Sequence, residues 1–222
     1  MSQSTISQAV LDWMSLREIE SKGRRSLAVP ADVSLEPEVE KTIQKVVQDL
    51  GSLDVMVANA GIVTFESFLD TTVESFDHHM AVNARGTMLC YKHAAKQMIA
   101  QGRGGRIIGA TSQAGKQGIS LCTAYSASKF AICGLTQAAA GELGIYGITV
   151  NAYAPGVVKT ALSQFFCLNA FTHALSALVT SSAVNRIGTP EEIAGLVSYL
   201  ASDGSGFVTG QSISINGGSY FD

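Results

Sequence analysis

This 222-residue sequence has no excess of positive charge. It contains 15 Lys and Arg residues and 18 Asp and Glu residues, which give a net charge of −3. Nucleic-acid binding through phosphates normally needs a basic patch, so we expect no nucleic-acid partner. A run of 18 uncharged apolar residues is also missing, because the apolar stretch 119–140 carries Lys129. With no basic start followed by an apolar core, we predict no membrane span, no secretory signal and a cytoplasmic location.

Motifs for metal binding and hydrolysis are absent as well. The four cysteines share no CxxC spacing and are expected to be free buried thiols: Cys90, Cys122, Cys133 and Cys167. His78 and His79 are adjacent on a predicted helix, so their side chains do not face each other and a two-histidine metal site is not expected. Without a GxSxG elbow or a Walker loop, hydrolase and nucleotidase functions are disfavoured.

A tyrosine and a lysine with helical spacing are the main chemical feature that is present. The stretch from Cys122 to Leu143 is rich in Ala and free of Pro, which predicts a helix. Tyr125 and Lys129, four residues apart, would share one face of it. A cation about 4–6 Å away should lower the phenol pKa by roughly 1–3 units from about 10, towards the range of a general acid/base. The alternative is a Tyr and a Lys on an exposed helix face.

Ser112 follows the apolar run 106–111, which predicts a buried strand. Ligands of open α/β sheets bind at the carboxyl ends of strands, so a hydroxyl at this point could orient a substrate oxygen. Further motifs accompany it in order: ADV at Ala31–Val33, ANAG at Ala58–Gly61, Asn83 in VNARG, YSASK, GITVNAYAPG followed by Thr160, and GFVTGQSISINGG. With these motifs, residues 20–222 resemble a short-chain dehydrogenase/reductase with a nicotinamide cofactor, and most of all the acetoin/diacetyl and polyol reductase branch.

The resemblance implies a catalytic set. It makes Tyr125 the acid/base in the interconversion of a small carbonyl and a secondary alcohol by hydride transfer. Lys129 would adjust the pKa of Tyr125 and bind the nicotinamide ribose. Ser112 would polarise the substrate carbonyl, and Asn83 would hold a water in the proton relay.

The resemblance also implies NAD or NADP as the cofactor. Asp32 would contact the adenine region, Asn59 would line the cofactor groove, and Val158 and Thr160 would reach the nicotinamide carboxamide, in addition to Tyr125 and Lys129. Ala58 stands where the family usually has a second Asn, which is a mild departure because Asn59 and Gly61 keep the turn.

Alternating strand and helix patterns predict one α/β domain over residues 1–222, with a Rossmann-like doubly wound parallel sheet. The predicted elements are a strand at Leu27–Pro30, a helix at Leu35–Leu50 capped by Ser34, a strand at Leu53–Ala58, a long helical stretch from Val73 to Gln101, a helix opened by a capping box at Thr189 and running through Ala201, and a final strand at Gln211–Asn216.

The family's opening unit, a strand, a TGxxxGxG turn, a helix and a second strand, is expected to be missing. No TGxxxGxG occurs in the 222 residues, and residues 6–22 have the apolar spacing of the helix that follows the second strand. The strand at 53–58 would then have an open edge, and Leu27–Pro30 would have no neighbour. Loss of two or three phosphate contacts would weaken dinucleotide binding by roughly 3–9 kcal/mol.

Two explanations of this departure stay open. The chain is an incomplete product or splice form of an ordinary reductase, or it is a shortened paralogue that acts as a non-enzymatic interaction module. Retention of all four catalytic residue types favours the first explanation.

The stretch 161–185 would cover the reactive end of the cofactor. Its apolar residues, Phe165, Phe166, Leu168 and Phe171, suggest an uncharged, partly apolar ketone or alcohol, unless they pack on the core or on a neighbouring subunit. The family places subunit contacts on the helices at 73–101 and 122–143, and their surplus of small and apolar residues predicts a homodimer or homotetramer.

Overall fold

A computed structural model describes residues 16–160 and 182–222. Its sheet has four parallel strands in the order β1-β2-β3-β4. The strands are β1 (Val55–Ala58), β2 (Gly105–Ala110), β3 (Ile148–Pro155) and β4 (Ser212–Ile215). The helices are α1 (Glu36–Leu50), α2 (Val73–His79), a π-helical segment (Met80–Arg85), α3 (Gly86–Gln101), α4 (Thr123–Leu143) and α5 (Pro190–Ala201).

Both faces of the sheet are covered, as the alternation of side chains along β2 shows. Ile107 is fully buried in a cluster with residues of α1, α3 and α4. Ile108 faces the opposite way and packs with Leu200 of α5. Successive side chains of a strand point to opposite faces, so an unbroken apolar run can satisfy two layers of helices. The predicted α/β, Rossmann-like doubly wound architecture is confirmed.

The amino-terminal part of the described structure departs from one prediction. Residues 24–32 have no regular secondary structure, so the predicted strand at Leu27–Pro30 is wrong. A strand needs a neighbour for its backbone hydrogen bonds, and β1 pairs only with β2 in the part of the sheet that is described. Residues 16–21 are helical, within the helix predicted at 6–22; residues 6–15 lie outside the described residues.

The structure differs from the sequence prediction at the start of α1 and agrees with it at the start of α5. Ser34 does not cap α1, because its hydroxyl donates to Asp32 at 2.7 Å and Leu35 takes the N-cap position without a side-chain bond. The capping box at Thr189 is confirmed: the Glu192 carboxylate accepts from the Thr189 backbone N–H at 2.9 Å. The predicted stretch 73–101 is helical throughout but is divided by the π-helical segment, which places Asn83 in the core.

Candidate active site

Tyr125 and Lys129 lie in the first two turns of α4, on the face that meets the ends of the strands. Lys129 is only 4% exposed, and its Nζ donates a hydrogen bond to the Ala110 carbonyl oxygen, the last residue of β2, at 2.7 Å. The same Nζ lies 5.5 Å from the centre of the Tyr125 ring. The lysine therefore ties the helix to the carboxyl end of β2 and brings a cation next to the phenol.

Asn83 joins this pair through hydrogen bonds that use its whole amide group. Its Oδ1 accepts from the Ile62 N–H at 2.8 Å, and its Nδ2 donates to the Ile62 carbonyl at 3.0 Å and to the Ser128 hydroxyl at 2.9 Å. The Ser128 hydroxyl in turn donates to the Tyr125 carbonyl at 2.7 Å. Because both amide hydrogens are used, a water held by Asn83 would have to donate to one of its oxygens.

Gly61 lies where Asn83 and Lys129 converge. A β-carbon at this position would be 3.2 Å from Asn83 Oδ1 and 3.3 Å from Lys129 Nζ. These distances are tighter than ordinary contacts, so a side chain would press on both groups. The ANAG turn after β1 thus has a steric reason to carry glycine here.

Ser112 follows β2 in extended conformation, and its Oγ accepts from the Ala114 N–H at 3.1 Å. It caps the short 3₁₀ turn Gln113–Gly115. The neighbouring Thr111 donates its hydroxyl to the Lys129 carbonyl at 2.8 Å, which fixes the end of β2 against α4. A hydrogen bond between the side chains of Ser112 and Tyr125 lowers the phenol pKa and so links the two predicted catalytic residues.

The net shift of the Tyr125 pKa is opposite to the one predicted from sequence. Burial raises the pKa of Tyr125 above its ordinary value of 10, and the bond with Ser112 opposes this only in part. Burial also lowers the pKa of Lys129 from 10.5 to about 8. The spacing on the helix was right, but desolvation of both groups outweighs the attraction expected between the lysine and a phenolate.

A second tyrosine near the site was missed in the sequence. Tyr153, buried in β3, donates its hydroxyl to Asn59 Oδ1 just beyond β1 at 2.5 Å. Burial raises the pKa of Tyr153 to about 12, and a repulsion from Tyr125 adds to this shift, so the two phenols lie close together. The sequence does contain one signal for it, because Tyr153 is the hydroxyl-bearing residue among the apolar residues AYAP at the carboxyl end of the strand.

The other predicted cofactor residues are Val158, Thr160 and Asp32. Val158 and Thr160 follow β3, and Val158 forms an isolated bridge with Gly188. Asp32 is exposed, and its carboxylate accepts from the backbone and the hydroxyl of Ser34, which lowers its pKa. The structure thus brings Asn83, Ser112, Tyr125 and Lys129 together, with Asn59 bonded to the neighbouring Tyr153. Asp32 instead bonds to Ser34 and, through its backbone N–H, to the Glu38 carboxylate in the first turn of α1 at 2.6 Å.

The structure also bears on the residues set aside as non-catalytic. Cys90, Cys122 and Cys133 are free, whereas Cys167 lies outside the described residues. His79 is buried and bonded to the Ser75 carbonyl at 2.8 Å and the Thr64 N–H at 3.2 Å. Residues 16–160 and 182–222 contain no group of acidic, His or Cys side chains that could hold a metal ion. Within the same residues no helix has both the length and the apolar character to cross a membrane.

Comparison with known proteins identifies the family. A family model described as enoyl-(acyl carrier protein) reductase matches residues 8–220. A short-chain dehydrogenase/reductase of Armillaria gallica is 53% identical over 211 residues, which are 94% of this chain and 81% of the relative. The chain belongs to the short-chain dehydrogenase/reductase family.

Other members of this family point in the same direction. A diacetyl reductase [(S)-acetoin forming] of Staphylococcus epidermidis is 38% identical over 91% of this chain and 82% of its own length. The crystal structure of acetoin dehydrogenase YohF from Salmonella typhimurium superposes with a TM-score of 0.82 at 35% identity, covering 93% of this chain and 80% of that chain. This short-chain dehydrogenase/reductase is therefore an oxidoreductase with relatives that are named for small carbonyl and alcohol substrates.

Proposed function

We propose that the protein transfers a hydride between NAD or NADP and a small, uncharged carbonyl or secondary alcohol, with Tyr125 as the acid/base. The observation that carries this proposal is the convergence of Asn83, Ser112, Tyr125 and Lys129 at the carboxyl ends of neighbouring parallel strands. Diacetyl and acetoin are the first substrates to consider, because relatives at 35–38% identity are named for them.

Each side chain has a distinct task in the reduction direction. The nicotinamide cofactor, when bound, supplies the hydride. Ser112 donates a hydrogen bond to the substrate oxygen, and Tyr125 donates the proton that this oxygen needs as its carbon is reduced. Lys129 places a positive charge beside the phenol while the proton leaves. Because burial raises the pKa of Tyr125, the phenol holds its proton at neutral pH, as an acid must.

The described residues fit the nicotinamide-ribose end of such a cofactor. Lys129 Nζ carries three N–H donors, of which one bonds to Ala110, so the others remain for ribose hydroxyls. Asn59 is exposed at the end of β1, and Gly61 leaves the space beside Lys129 open. Val158, Thr160 and Asp32 complete the proposed contacts with the carboxamide and the adenine region.

A polypeptide of these 222 residues should bind the cofactor weakly, because its sequence has no glycine-rich turn for the pyrophosphate. Losing about two to three charged hydrogen bonds weakens a micromolar site by about two to six decades, to a dissociation constant of roughly 0.1 mM or more. Titration with NADH, followed by nicotinamide fluorescence, should therefore show saturation only at millimolar concentration. A dissociation constant of about 10 μM, near −7 kcal/mol, would contradict this expectation.

Turnover decides between the proposed function and the interaction module. The purified protein is mixed with diacetyl or acetoin and NADH or NADPH up to several millimolar, and oxidation of the cofactor is followed by absorbance. Consumption that depends on the substrate supports hydride transfer. No turnover and no saturable binding of either cofactor would favour the non-enzymatic role.

We also propose a homodimer or homotetramer. α4 presents Phe130 at its surface. Phe68 and Leu69 before α2 are 75% and 92% exposed, and Val73, the first residue of α2, is exposed as well. Large apolar side chains exposed to this extent are typical of surfaces that associate. Light scattering at micromolar concentration should give two or four times the mass of 23.3 kDa. A 23.3 kDa species alone would contradict the proposal.

A further inference from the structure

Residues 216–222, here called the hook, reach the loop that carries Ser112. The Ser219 hydroxyl donates to Gln113 Oε1 at 2.6 Å, and Gln113 is the residue directly after Ser112. Lys116, at the end of the same loop, forms an ion pair with the carboxylate of Asp222. Two side chains of the hook therefore hold the short turn at both of its ends.

The hook is itself fixed to the sheet. Asp222 Oδ1 accepts from the Ser214 hydroxyl of β4 at 2.6 Å, so one carboxylate joins Lys116 to the last strand. Asn216 closes the hook from inside, because its Nδ2 donates to the Tyr220 carbonyl at 2.8 Å and its Oδ1 accepts from the Gly218 N–H at 2.9 Å. Through these bonds the hook connects β4 to the loop that carries Ser112 and restrains the position of that loop.

The sharp bend of the hook depends on glycine. Gly217 has a φ of +62°, a left-handed conformation that costs most other residues energy. A β-carbon there would lie 2.7 Å from the Ser182 hydroxyl oxygen and 2.7 Å from a methyl group of Val184. The bend is thus held in place by close packing as well as by hydrogen bonds.

The lysine of this ion pair is more sheltered than the lysine of an ordinary surface pair, whereas the carboxylate is not. The Lys116 side chain is 16% exposed and that of Asp222 35%, whereas Lys45 and Asp49 on the surface of α1 are 46% and 29% exposed. The hydrogen bond from Lys116 is the main reason why the pKa of the Asp222 carboxyl is lowered. Exposed pairs contribute little to stability, so the expected effect of this pair is on the placement of the loop.

We propose that Ser219 and Asp222 are positioning residues for the reaction, which act through Gln113 and Lys116 to hold the Ser112 hydroxyl beside Tyr125. This inference rests on the proposed function. Ser112 Oγ caps the turn through the Ala114 N–H, so a displaced turn displaces the hydroxyl. Misplacement of a reacting group by about 1 Å can lower a rate by about 10²-fold.

The test is a double-mutant cycle with Lys116→Met and Asp222→Asn, together with Ser219→Ala. Each substitution should lower kcat by roughly 10-fold, within the range of such misplacement, and leave the KM for the cofactor unchanged. The Lys116→Met/Asp222→Asn double variant should be no slower than either single variant, because the two residues act as one pair. Asp49→Asn removes the same charge from the Lys45 pair at 2.7 Å and serves as the matched control with unchanged kcat.

Hydrogen–deuterium exchange supplies a measurement that does not need activity. Amides of residues 111–118 should exchange faster in the hook variants and not in the control, while the strands keep their protection. Unchanged exchange in this loop, or an equal increase throughout the sheet, would overturn the inference. If the wild-type protein shows no turnover, the proposed function has failed before any variant is made. The exchange rates of the amides in residues 111–118 then test by themselves whether the hook positions the Ser112 loop.

Discussion

Tyr125→Phe should lower turnover by about 10²–10⁴-fold, the loss expected when a general acid/base is removed. The substitution deletes only the hydroxyl. The ring that lies 5.5 Å from Lys129 Nζ stays, and so does the backbone carbonyl that accepts from Ser128. Folding and cofactor binding should therefore be almost unchanged. Steady-state kinetics with diacetyl and millimolar NADH, with circular dichroism as the check on folding, measures the effect.

Tyr153→Phe is the matched control, because it deletes a second buried phenol in the same region. Its hydroxyl bonds to Asn59, so its loss should act mainly on the KM for the cofactor. A Tyr125→Phe variant with wild-type turnover would exclude Tyr125 as the acid/base. An equal loss of kcat in Tyr153→Phe would show that the effect is not specific to Tyr125.

The pH dependence gives the same assignment a second signature. The phenol form donates the proton during reduction, and burial raises the pKa of Tyr125, so the rate of reduction should stay level through neutral pH. Alcohol oxidation needs the phenolate and should rise as the pH approaches and passes 10. An oxidation rate that is already level at pH 7 would show that the pKa of the working enzyme lies well below this range.

Much of the site could be predicted from sequence because its signals are local. The spacing of Tyr125 and Lys129 fixes their shared helix face, and the apolar run before Ser112 fixes a strand end. Only short-range periodicity is needed for these predictions. The same holds for the helix capping box, in which Thr189 and Glu192 are three residues apart.

Other features depend on contacts between distant parts of the chain. The π-helical segment that buries Asn83 follows from its bonds to Ile62 and Ser128, which lie 21 and 45 residues away. Tyr153 meets Asn59 across 94 residues, and Lys116 meets Asp222 across 106. The direction of the pKa shift of Tyr125 depends on its burial, which cannot be inferred from the spacing of Tyr125 and Lys129 in the sequence. A strand at Leu27–Pro30 likewise depends on a neighbour rather than on its own residues.

Lys129→Met should abolish most of the turnover and at the same time stabilise the fold at pH 7. Burial lowers the pKa of Lys129 to about 8, so at pH 7 the fold contains a lysine that is charged at a cost. A depression of about 2.5 units corresponds to roughly 3 kcal/mol. Methionine has an unbranched side chain only one heavy atom shorter and no charge, but it loses the bond to Ala110, at about 1–2 kcal/mol. The net gain is about 1–2 kcal/mol, or roughly 2–8 °C in Tm for a chain of this size.

The pH at which this gain disappears tests its cause. Below pH 8 the lysine is charged in both the folded and the unfolded chain, and only the folded chain carries the cost of burying that charge. Between about 8 and 10.5 the folded protein has released the proton while the unfolded chain still binds it, so the wild type gains stability relative to the variant as the pH rises. Other buried phenols and thiols titrate in both proteins and cancel in the difference. The Tm of Lys129→Met should therefore exceed that of the wild type at pH 7, and the difference should vanish or reverse near pH 10. A constant difference across this range, or a variant that is less stable at pH 7, would show that desolvation of the charged Lys129 does not destabilise the wild-type fold.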